Sequence, residues 1–567
     1  MAKPSTISRE RWLSAAVGFW AVIVIVPLLV GGRPPAPQDA IGARLGEEAG
    51  AVSLKAGLAR GIAGIYYDDG FYYLQIARHL AAGSGSTFDG LNPTNGYHPL
   101  WLLCLTLLAV LLPVPEDLLL ASFALQVLLA AATTVGIYRL ARCVMGPVGA
   151  AVAAVGWIRI QCTYWTSWAG MEYSLQALLI VWLLVQYAKG PRSKNVEPWL
   201  LQLGGIASLA FLARLDNLLL AGLLLASLLF AGRRDPGQPA AASYGIAIPE
   251  RLRSAAWFAG PVILTVVAYV ALNLWSFGHP APVSGAVKQA WSADALAQDP
   301  RYQDHGWWVA KAWYAWTPLA SASRSHAWSL LLGAFGGVAW IAVARRRTRK
   351  LEVLWPLAAF AALQYLAYVA LYHGGFSFHP WYFVAQPLVT VLCAGWLIDR
   401  ALPLVPQPAW RRWVVAALIV AILVSTAVNT ARFRHQQGRF SEEPLYAAAC
   451  WIRAHLPADA RVGAWNAGIL AFFSDRQVVN LDGLVNSWEY FLVESHDLCA
   501  YLEREGIDTL VDVFDASQPF AQYASQMNCA EQLEVIWTGP AYPGSSPLRR
   551  AMAFQRRWVE NLGASEP

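Results

Sequence analysis

The stretch HPLWLLCLTLLAVLL, residues 98–112, decides how the chain is arranged. It is apolar for most of its length, yet a helix of this size measures only about 22 Å, against a hydrocarbon core of about 30 Å. The rest of the chain contains about eleven other apolar stretches near the length of roughly 20 residues that a transmembrane helix needs. These predicted spans are 12–30, 117–138, 146–163, 170–188, 198–213, 215–232, 255–276, 327–344, 352–371, 381–398 and 410–428.

The charge of the connecting loops indicates that 98–112 does not cross the membrane. If it stays on one side, Lys and Arg collect in the loops of the other side, including RRRTRK (345–350). The short loops 113–116, 164–169 and 372–380 then face away from them and contain neither Lys nor Arg. If 98–112 spanned, every later loop would invert and the asymmetry would oppose the positive-inside rule. The sequence therefore predicts a short non-spanning or re-entrant helix, a cytoplasmic N-terminus and an extracytoplasmic C-terminus.

The overall composition argues against an ordinary soluble protein. Of the 567 residues, 57% are hydrophobic and 14% are charged, whereas soluble proteins carry about 25% charged residues. The 27 Trp and 22 Tyr suit a protein with many water–lipid interfaces. Basic cytoplasmic loops account for the formal charge of +6, so no nucleic-acid partner is expected. The composition thus predicts a multi-pass protein of the cell membrane.

Three pieces of the chain are predicted to lie outside the membrane on the extracytoplasmic side. They are the loop 31–116, the loop 277–326 and the tail 429–567, while residues 1–428 form the membrane part. The tail is expected to be a small soluble α/β domain. Its predicted strands are Arg461–Trp465, Gln477–Asp482, Ile507–Val513 and Leu533–Trp537, and its predicted helices are 442–455, 466–474 and 495–505.

The seven cysteines carry little information about function. They show neither a CxxC pair nor a Cys/His spacing typical of a metal site. An extracytoplasmic tail would allow a disulfide between Cys499 and Cys529, because disulfides persist in oxidising compartments. Two interpretations of this pair, bonded and free, therefore stay open.

Ionisable residues near the predicted spans gather on the extracytoplasmic side. Asp68 and Asp69 open a helix in the first loop, Glu172 precedes a span, and Lys288 lies in the second large loop. Charges inside spans are costly and usually functional, and here very few lie in the middle of a span. An ion-coupled transporter would place such groups near the bilayer midplane. The arrangement therefore indicates chemistry at the outer surface of the membrane.

Each of these residues also has a purely structural interpretation. The acidic pair and Glu172 could stabilise helix N-termini, an effect of about 0.3–1 kcal/mol. Arg214 could form an interfacial ion pair with Asp216, and Lys288 alone could be a solvated loop residue. Both interpretations remain open on the sequence.

The histidines and aromatic residues of the outer loops are equally ambiguous. His98 and His379 lie beside proline and aromatic residues, which suits packing at the membrane interface. Tyr382 belongs to a Trp-Tyr pair that suits an aromatic belt better than a sugar-binding platform. No histidine has a metal-binding spacing such as HExxH.

The segments DDGFYYLQIARHL (68–80) and NPTNGYHPLW (92–101) resemble the GT-C superfamily of polyprenyl-phosphate-sugar-dependent transferases. Protein O-mannosyltransferases, lipid A aminoarabinose transferases, the catalytic subunit of oligosaccharyltransferase and mycobacterial arabinofuranosyltransferases belong to it. In those enzymes an acidic pair opens a juxtamembrane helix of the first outer loop, with a Tyr within a few residues. Asp68, Asp69 and Tyr72 match that pattern.

Weaker features extend the resemblance across residues 12–428. HPLW (98–101) matches the family's Pro-containing start of a short juxtamembrane helix, and Glu172 matches a carboxylate just before a span. HPWYFVAQP (379–387) approximates a later pattern of an aromatic residue followed by spaced prolines. The second loop lacks the family's DxE-like pair, so the resemblance leaves metal dependence open.

The resemblance implies a mainly α-helical polytopic protein with a GT-C-like membrane part, transferring a sugar from a polyprenyl-phosphate donor to a hydroxyl group. The acceptor would be a glycan, a lipid or a protein. Asp68 would act as general base in an inverting attack, and Lys288 and Arg214 would stabilise the leaving phosphate. Asp69 and Glu172 would orient the acceptor or, with Asp68, hold a divalent cation such as Mg²⁺ or Mn²⁺.

Substrate binding is expected to involve Tyr72, His98, His379 and Tyr382, with membrane lipids as further partners. Two functions from other classes remain as alternatives. A flippase or transporter of lipid-linked sugars would move its substrate without forming a covalent product. A non-catalytic membrane protein that binds glycan through its tail would not need the acidic pair.

Overall fold

A bundle of helices makes up most of the molecule, and a computed structural model shows a small sheet at its C-terminal end. The described residues are 54–164, 166–191, 195–230, 248–316, 331–344, 349–374, 379–436, 442–520, 527, 529–541 and 549–556. Within these ranges four helices are long and apolar enough to cross a membrane. They are Pro115–Arg142, Pro249–Phe277, Leu351–Leu371 and Ala385–Leu404. The chain is therefore a membrane protein, as its composition predicts.

The α-helices follow the predicted apolar stretches closely. In chain order they are α1 Leu54–Ala63, α2 Asp68–Ala81, α3 Pro99–Leu111, α4 Pro115–Arg142, α5 Pro147–Tyr164, α6 Tyr173–Lys189, α7 Glu197–Ala213, α8 Leu218–Phe230, α9 Ile248–Phe277, α10 Val283–Ala297, α11 Pro300–His305, α12 Trp307–Tyr314, α13 Gly337–Ala344, α14 Trp355–Leu371, α15 Ala385–Ala401, α16 Pro408–Gln436, α17 Glu442–His455, α18 Gly468–Ser474, α19 Trp488–Leu492 and α20 Leu498–Arg504. The predicted span 12–30 lies outside the described residues, so the predicted number of about eleven spans remains a prediction.

Helix α3 is as short as the sequence predicts, with 13 residues. One of its faces is buried against the bundle through Trp101 and Leu105. The opposite face exposes Leu103, Leu107 and Leu111, each more than half accessible. An exposed apolar row of this kind suits contact with lipid, because it would be unfavourable in water.

Helix α2 lies against the turn between α5 and α6 at a close glycine contact. A Cβ atom on Gly70 would lie 2.8 Å from the carbonyl oxygen of Ala169, and Gly170 adopts a φ of +85°. The indole N–H of Trp101 donates to the carbonyl oxygen of Gly170 over 2.9 Å. These contacts bring the acidic start of α2 next to Glu172, which directly precedes α6.

The C-terminal domain is built on a five-stranded mixed sheet in the order β2-β1-β3-β5-β4. The strands are β1 Arg461–Ala464, β2 Gln477–Asn480, β3 Thr509–Asp515, β4 Leu533–Ala541 and β5 Arg549–Arg556. Strand β1 is parallel to β2 and β3, whereas β5 is antiparallel to β3 and β4. The four predicted strands are confirmed. The fifth was not predicted, because RRAMAFQR is rich in residues that favour helices.

A disulfide joins Cys499 on α20 to Cys529, which decides between the two interpretations of this pair. The C-terminal domain also shares a continuous hydrophobic core with the α1–α3 segment. The rings of Phe71 on α2 and Phe472 on α18 lie 5.3 Å apart. A Cβ atom on Gly96 would come within 1.9 Å of a backbone oxygen of the domain. The domain is therefore packed tightly onto the segment that carries the acidic pair.

Candidate active site

A buried charged network lies at the N-terminal end of α6. Glu172 Oε1 accepts a hydrogen bond from Arg214 Nη1 at 2.6 Å, and Arg214 Nε donates to Asp216 Oδ2 at 3.2 Å. The Tyr73 hydroxyl donates to Glu172 Oε2 at 3.2 Å, and Arg214 Nη2 donates to the Tyr368 hydroxyl at 2.7 Å. The expected Arg214–Asp216 ion pair is confirmed. Because two carboxylates already balance Arg214, this guanidinium is poorly suited to holding a phosphate.

Asp69 and Lys288 form a more open part of the site, where both side chains are partly exposed. Lys288 Nζ donates to the Tyr382 hydroxyl at 2.7 Å. Burial lowers the pKa of Lys288, but Tyr382 and Asp69 together raise it above its ordinary value. Burial raises the pKa of Asp69, the Lys288 cation opposes this, and Glu172 adds to it. The pair therefore consists of a lysine that stays charged and a carboxylate with an elevated proton affinity.

The Asp69 carboxylate accepts a hydrogen bond from its own backbone amide. Among the residues that the structure describes, none elsewhere in the chain donates a hydrogen bond to it. Its oxygens thus retain the capacity to accept a proton or a hydrogen bond from a bound molecule.

Asp68 lies one residue earlier but faces the C-terminal domain. Its Oδ2 accepts a hydrogen bond from the backbone N–H of Gly468 at 3.0 Å, and its Oδ1 accepts one from Ile469 at 2.8 Å. These amides belong to the first turn of α18 and have no partner within that helix. Burial raises the pKa of Asp68 to about 8, against the opposing effect of the two amides. Asp68 therefore joins α2 to the domain.

Tyr72, one turn along α2 from Asp68, contacts a second acidic residue of the C-terminal domain. Its single hydroxyl hydrogen is shared between Asp482 Oδ2 and the carbonyl oxygen of Trp465, each 3.1 Å from the hydroxyl oxygen. Burial raises the pKa of Asp482 to about 7; the backbone amide of Leu484 opposes this and Asp69 adds to it. A carboxylate from the tail thus stands close enough to Asp69 to interact with it. Asp69, Lys288, Tyr382 and Asp482 are called the polar cluster below.

The two predicted histidines lie at the edge of this arrangement. His98 Nε2 is 3.5 Å from Glu172 Oε1, so His98 adjoins the buried network. The His379 ring stacks on Trp381 with centroids 4.2 Å apart and meets Tyr382 edge-on at 5.4 Å. Burial, together with a smaller effect of Lys288, lowers the pKa of His379 to about 3. His379 is therefore neutral and packs among aromatic rings, as one sequence interpretation expected.

The residues suggested as metal ligands do not form a common ligand set. Asp68 accepts amide hydrogen bonds from α18, and Glu172 is paired with Arg214. In the described part of the chain, no three His, Cys, Asp or Glu side chains are placed to share a metal ion. The donor set formed by Asp68, Asp69 and Glu172 thus does not fit a divalent cation. What the site does offer is a partly exposed carboxylate near a lysine that is held by a hydrogen bond to Tyr382.

Sequence reasoning missed Asp482 as well as Tyr73 and Tyr368. The prediction placed Asp482 inside a strand, whereas β2 ends at Asn480 and Asp482 lies in the following loop. Residues just after the carboxyl ends of parallel strands are common ligand-binding positions, and that rule could have drawn attention to it. Tyr73 and Tyr368 bind the buried network from helices far apart in the chain, which no sequence spacing indicates.

The fold is similar to that seen in solved structures of two membrane proteins, AglB and ArnT. The archaeal oligosaccharyltransferase AglB from Archaeoglobus fulgidus, in complex with an inhibitory peptide and a dolichol-phosphate, gives a TM-score of 0.53 at 12% identity, covering 92% of this chain and 71% of AglB. ArnT from Cupriavidus metallidurans in the apo state gives 0.51 at 14% identity, covering 85% of this chain and 93% of ArnT. ArnT bound to undecaprenyl phosphate gives 0.50 at 14% identity, covering 88% and 97%.

These similarities show that the chain shares its fold with AglB and ArnT. Residues 429–558 match a family described as a domain of unknown function, DUF8728. No curated protein matches the chain in sequence. The activity therefore has to be argued from the site itself.

Proposed function

We propose that the chain is a membrane glycosyltransferase that moves a sugar from a polyprenyl-phosphate donor to an acceptor hydroxyl on the extracytoplasmic face. The observation that carries this proposal is Asp69 beside Lys288 within a GT-C fold. Transfer from a phosphate-linked sugar needs a base for the acceptor and a cation for the leaving phosphate. The undecaprenyl phosphate bound to ArnT and the dolichol-phosphate bound to AglB support a lipid-linked donor.

In this proposal Asp69 takes the role of base that the sequence resemblance gave to Asp68. Both oxygens of Asp68 accept backbone hydrogen bonds in the junction with the C-terminal domain. Apart from its own amide, Asp69 has no such partner among the described residues, and it is partly exposed. Its raised pKa improves it as a proton acceptor, because base strength rises with proton affinity.

The reaction proceeds as a single displacement with inversion. The acceptor oxygen attacks the anomeric carbon from the side opposite the phosphate, and its proton passes to Asp69. The bond between the anomeric carbon and the phosphate oxygen breaks, and its electron pair leaves with the polyprenyl phosphate. Lys288, held by its hydrogen bond to Tyr382, balances the negative charge that develops there. Glu172 and Arg214 stay hydrogen-bonded to each other near Asp69 and keep their positions during the reaction.

The extracytoplasmic position rests on two independent features of the chain. Lys and Arg concentrate in the loops on the side away from the acidic pair. The Cys499–Cys529 disulfide lies in the domain that packs on that pair, and structural disulfides are typical of oxidising compartments. A lipid-linked donor follows from this location, because nucleotide sugars are cytoplasmic.

The proposal is tested by reconstituting the purified protein in nanodiscs with a panel of polyprenyl-phosphate pentoses and hexoses and of methyl glycosides and disaccharides as acceptors. We expect at least one pair to give free polyprenyl phosphate together with an acceptor heavier by one sugar residue in mass spectrometry. A flippase would move the donor across a vesicle membrane without forming that product. Donor movement without any covalent product would contradict the proposed function.

A further inference from the structure

The loop after β2 holds a carboxylate in a fixed position at the edge of the polar cluster. Asp482 Oδ1 accepts a hydrogen bond from the backbone N–H of Leu484 at 2.7 Å, and Oδ2 accepts one from Tyr72 at 3.1 Å. Asn480 Oδ1 accepts a hydrogen bond from the Gly483 amide at 3.0 Å. The Asn480 side chain is a further partner, and the roughly four lone-pair sites of a carboxylate still leave room for an outside donor. The side chain is therefore oriented yet still able to bind.

The loop after β2 packs closely against the membrane part at two places. A Cβ atom on Gly96 would lie 1.9 Å from the carbonyl oxygen of Leu484. Gly483 adopts a φ of +83°, which favours glycine, and a Cβ there would lie 3.3 Å from Val287, the neighbour of Lys288. Such contacts leave little freedom for the loop to move away. Asp482 is consequently a fixed part of the site and comes from a different domain than Asp69.

The polar cluster has more hydrogen-bond acceptors than donors. Asp69 and Asp482 are two carboxylates with mutual electrostatic influence, and burial with this neighbour raises the pKa of Asp482 to about 7. Lys288 is the cation of the cluster, and it already donates to Tyr382. Two carboxylates close together can accept hydrogen bonds from the hydroxyl groups of an uncharged ligand. A molecule with neighbouring hydroxyl groups would satisfy both carboxylates at once.

The position of Asp482 relative to the sheet also favours a role in ligand binding. It follows β2, which is parallel to β1, and the carbonyl oxygen of Trp465 just after β1 meets the same Tyr72 hydroxyl. Open sheets with parallel strands bind their ligands beyond the carboxyl ends of those strands. Helix α2 of the membrane part contacts this edge of the sheet through Tyr72, and the same helix carries Asp69.

We propose that the C-terminal domain binds the acceptor through Asp482 and that this acceptor is a carbohydrate with neighbouring hydroxyl groups. One hydroxyl is held by Asp482, which places the adjacent hydroxyl at Asp69. A serine or threonine acceptor offers a single hydroxyl and leaves one carboxylate unsatisfied. The role of this carbohydrate as acceptor rests on the proposed function, whereas its binding at Asp482 can be measured without any transfer.

The test measures binding in the absence of donor, by ligand-observed NMR on the full-length protein in nanodiscs. The probes are a panel of methyl glycosides and disaccharides and, separately, short peptides that contain Ser or Thr. We expect the wild-type protein to bind at least one carbohydrate of the panel. Asp482→Asn should raise its dissociation constant at least tenfold, because the amide replaces one acceptor oxygen by a donor.

A matched control and a second variant keep the result interpretable. Asp475→Asn changes an aspartate of the same domain that lies on the surface, 3.1 Å from Arg453, and should leave binding unchanged. Tyr72→Phe removes the hydroxyl that orients Asp482 and should weaken binding less than Asp482→Asn; it serves as the test if Asp482→Asn does not fold. Equal carbohydrate binding by wild type and variant, no binding to any carbohydrate, or preference for the peptides would overturn the proposal. Carbohydrate binding without transfer in the separate assay would contradict only the proposed function.

Discussion

The region around Asp68 is a closed junction between two domains, whereas the region around Asp69 is an open polar cluster beside a cation. The two residues are adjacent, and on an α-helix with 3.6 residues per turn they point about 100° apart. One carboxylate therefore meets the amides of α18, and the other meets Lys288 and a partly exposed space. In the proposed function, Asp68 therefore joins the two domains and Asp69 takes part in the transfer.

The same comparison explains why the C-terminal domain belongs to the site. The junction at Asp68 and the Tyr72 hydroxyl fix the domain so that the loop after β2 delivers Asp482 to the cluster. Loss of the junction should disturb the cluster indirectly, while loss of the cluster should leave the junction intact. The predictions below use this asymmetry.

The largest effect is expected for Asp69→Asn. Without its base the transfer rate should fall by about 10²–10⁴-fold. The melting temperature of the purified protein should not change, because no described residue elsewhere in the chain donates to this carboxylate. Initial rates and thermal unfolding in detergent measure both effects. Asp117→Asn, which removes an exposed ion pair with Lys55, is the control, and a rate for Asp69→Asn within tenfold of the control would remove Asp69 from its role.

Lys288→Gln should reduce the rate by about 10²-fold, because it removes the cation that balances the leaving phosphate. It should also change the pH profile. The base works only when ionised, so activity is lost as the pH falls through the pKa of Asp69. Lys288 lowers that pKa, so its removal should shift the acidic limb of kcat/KM to higher pH. An unchanged limb would show that Lys288 and the base do not interact.

The junction is tested by Asp68→Ala, which leaves the Gly468 and Ile469 amides without their acceptor. Unsatisfied buried donors cost about 1–3 kcal/mol each, so thermal unfolding should occur at a lower temperature. Gly468→Ala should act in the same direction, since its Cβ would lie 2.2 Å from the Asp68 carbonyl oxygen. Gly205→Ala, where nothing lies within 4 Å of the added carbon, is the matched control. Destabilisation by the control alone would contradict this account of the junction.

The smallest effect is expected from metal removal. Asp68 and Glu172 are engaged with amides and with Arg214, so the acidic residues do not form a ligand set around Asp69. Treatment with EDTA followed by gel filtration should therefore change the transfer rate less than twofold. Loss of activity that Mg²⁺ or Mn²⁺ restores would show that the carboxylates rearrange around a cation during the reaction.

Sequence reasoning predicted several of the charged residues that the structure brings together, but it could not assign roles to them. Hydrophobic length and loop charge predicted the helices, and the position of charges near their ends predicted that Glu172, Arg214 and Lys288 would lie near the acidic pair. Which member of the pair faces which neighbour depends on the rotation of α2, fixed by the contact of Gly70 with the turn before α6. Contacts of this kind are invisible in a single sequence.

The contribution of the C-terminal domain to the site could not be predicted from the sequence either. Asp482 reaches the cluster only because the domain packs on α2, through contacts between residues about 400 positions apart. Strand β5, which completes the sheet, lacks the β-branched pattern that marks strands. The prediction of strands β1 and β2 nevertheless placed the start of the loop that contains Asp482 within two residues of its position in the structure.

The division between a closed junction and an open cluster is tested most directly by labelling single cysteines with a membrane-impermeant maleimide. Asp68→Cys and Asp69→Cys would be made in a background that keeps the Cys499–Cys529 disulfide and replaces the other cysteines by serine. In sealed vesicles with the extracytoplasmic face outward, we expect rapid labelling at position 69 and protection at position 68. Labelling of position 69 only after the membrane is permeabilised, or faster labelling at position 68, would contradict the account.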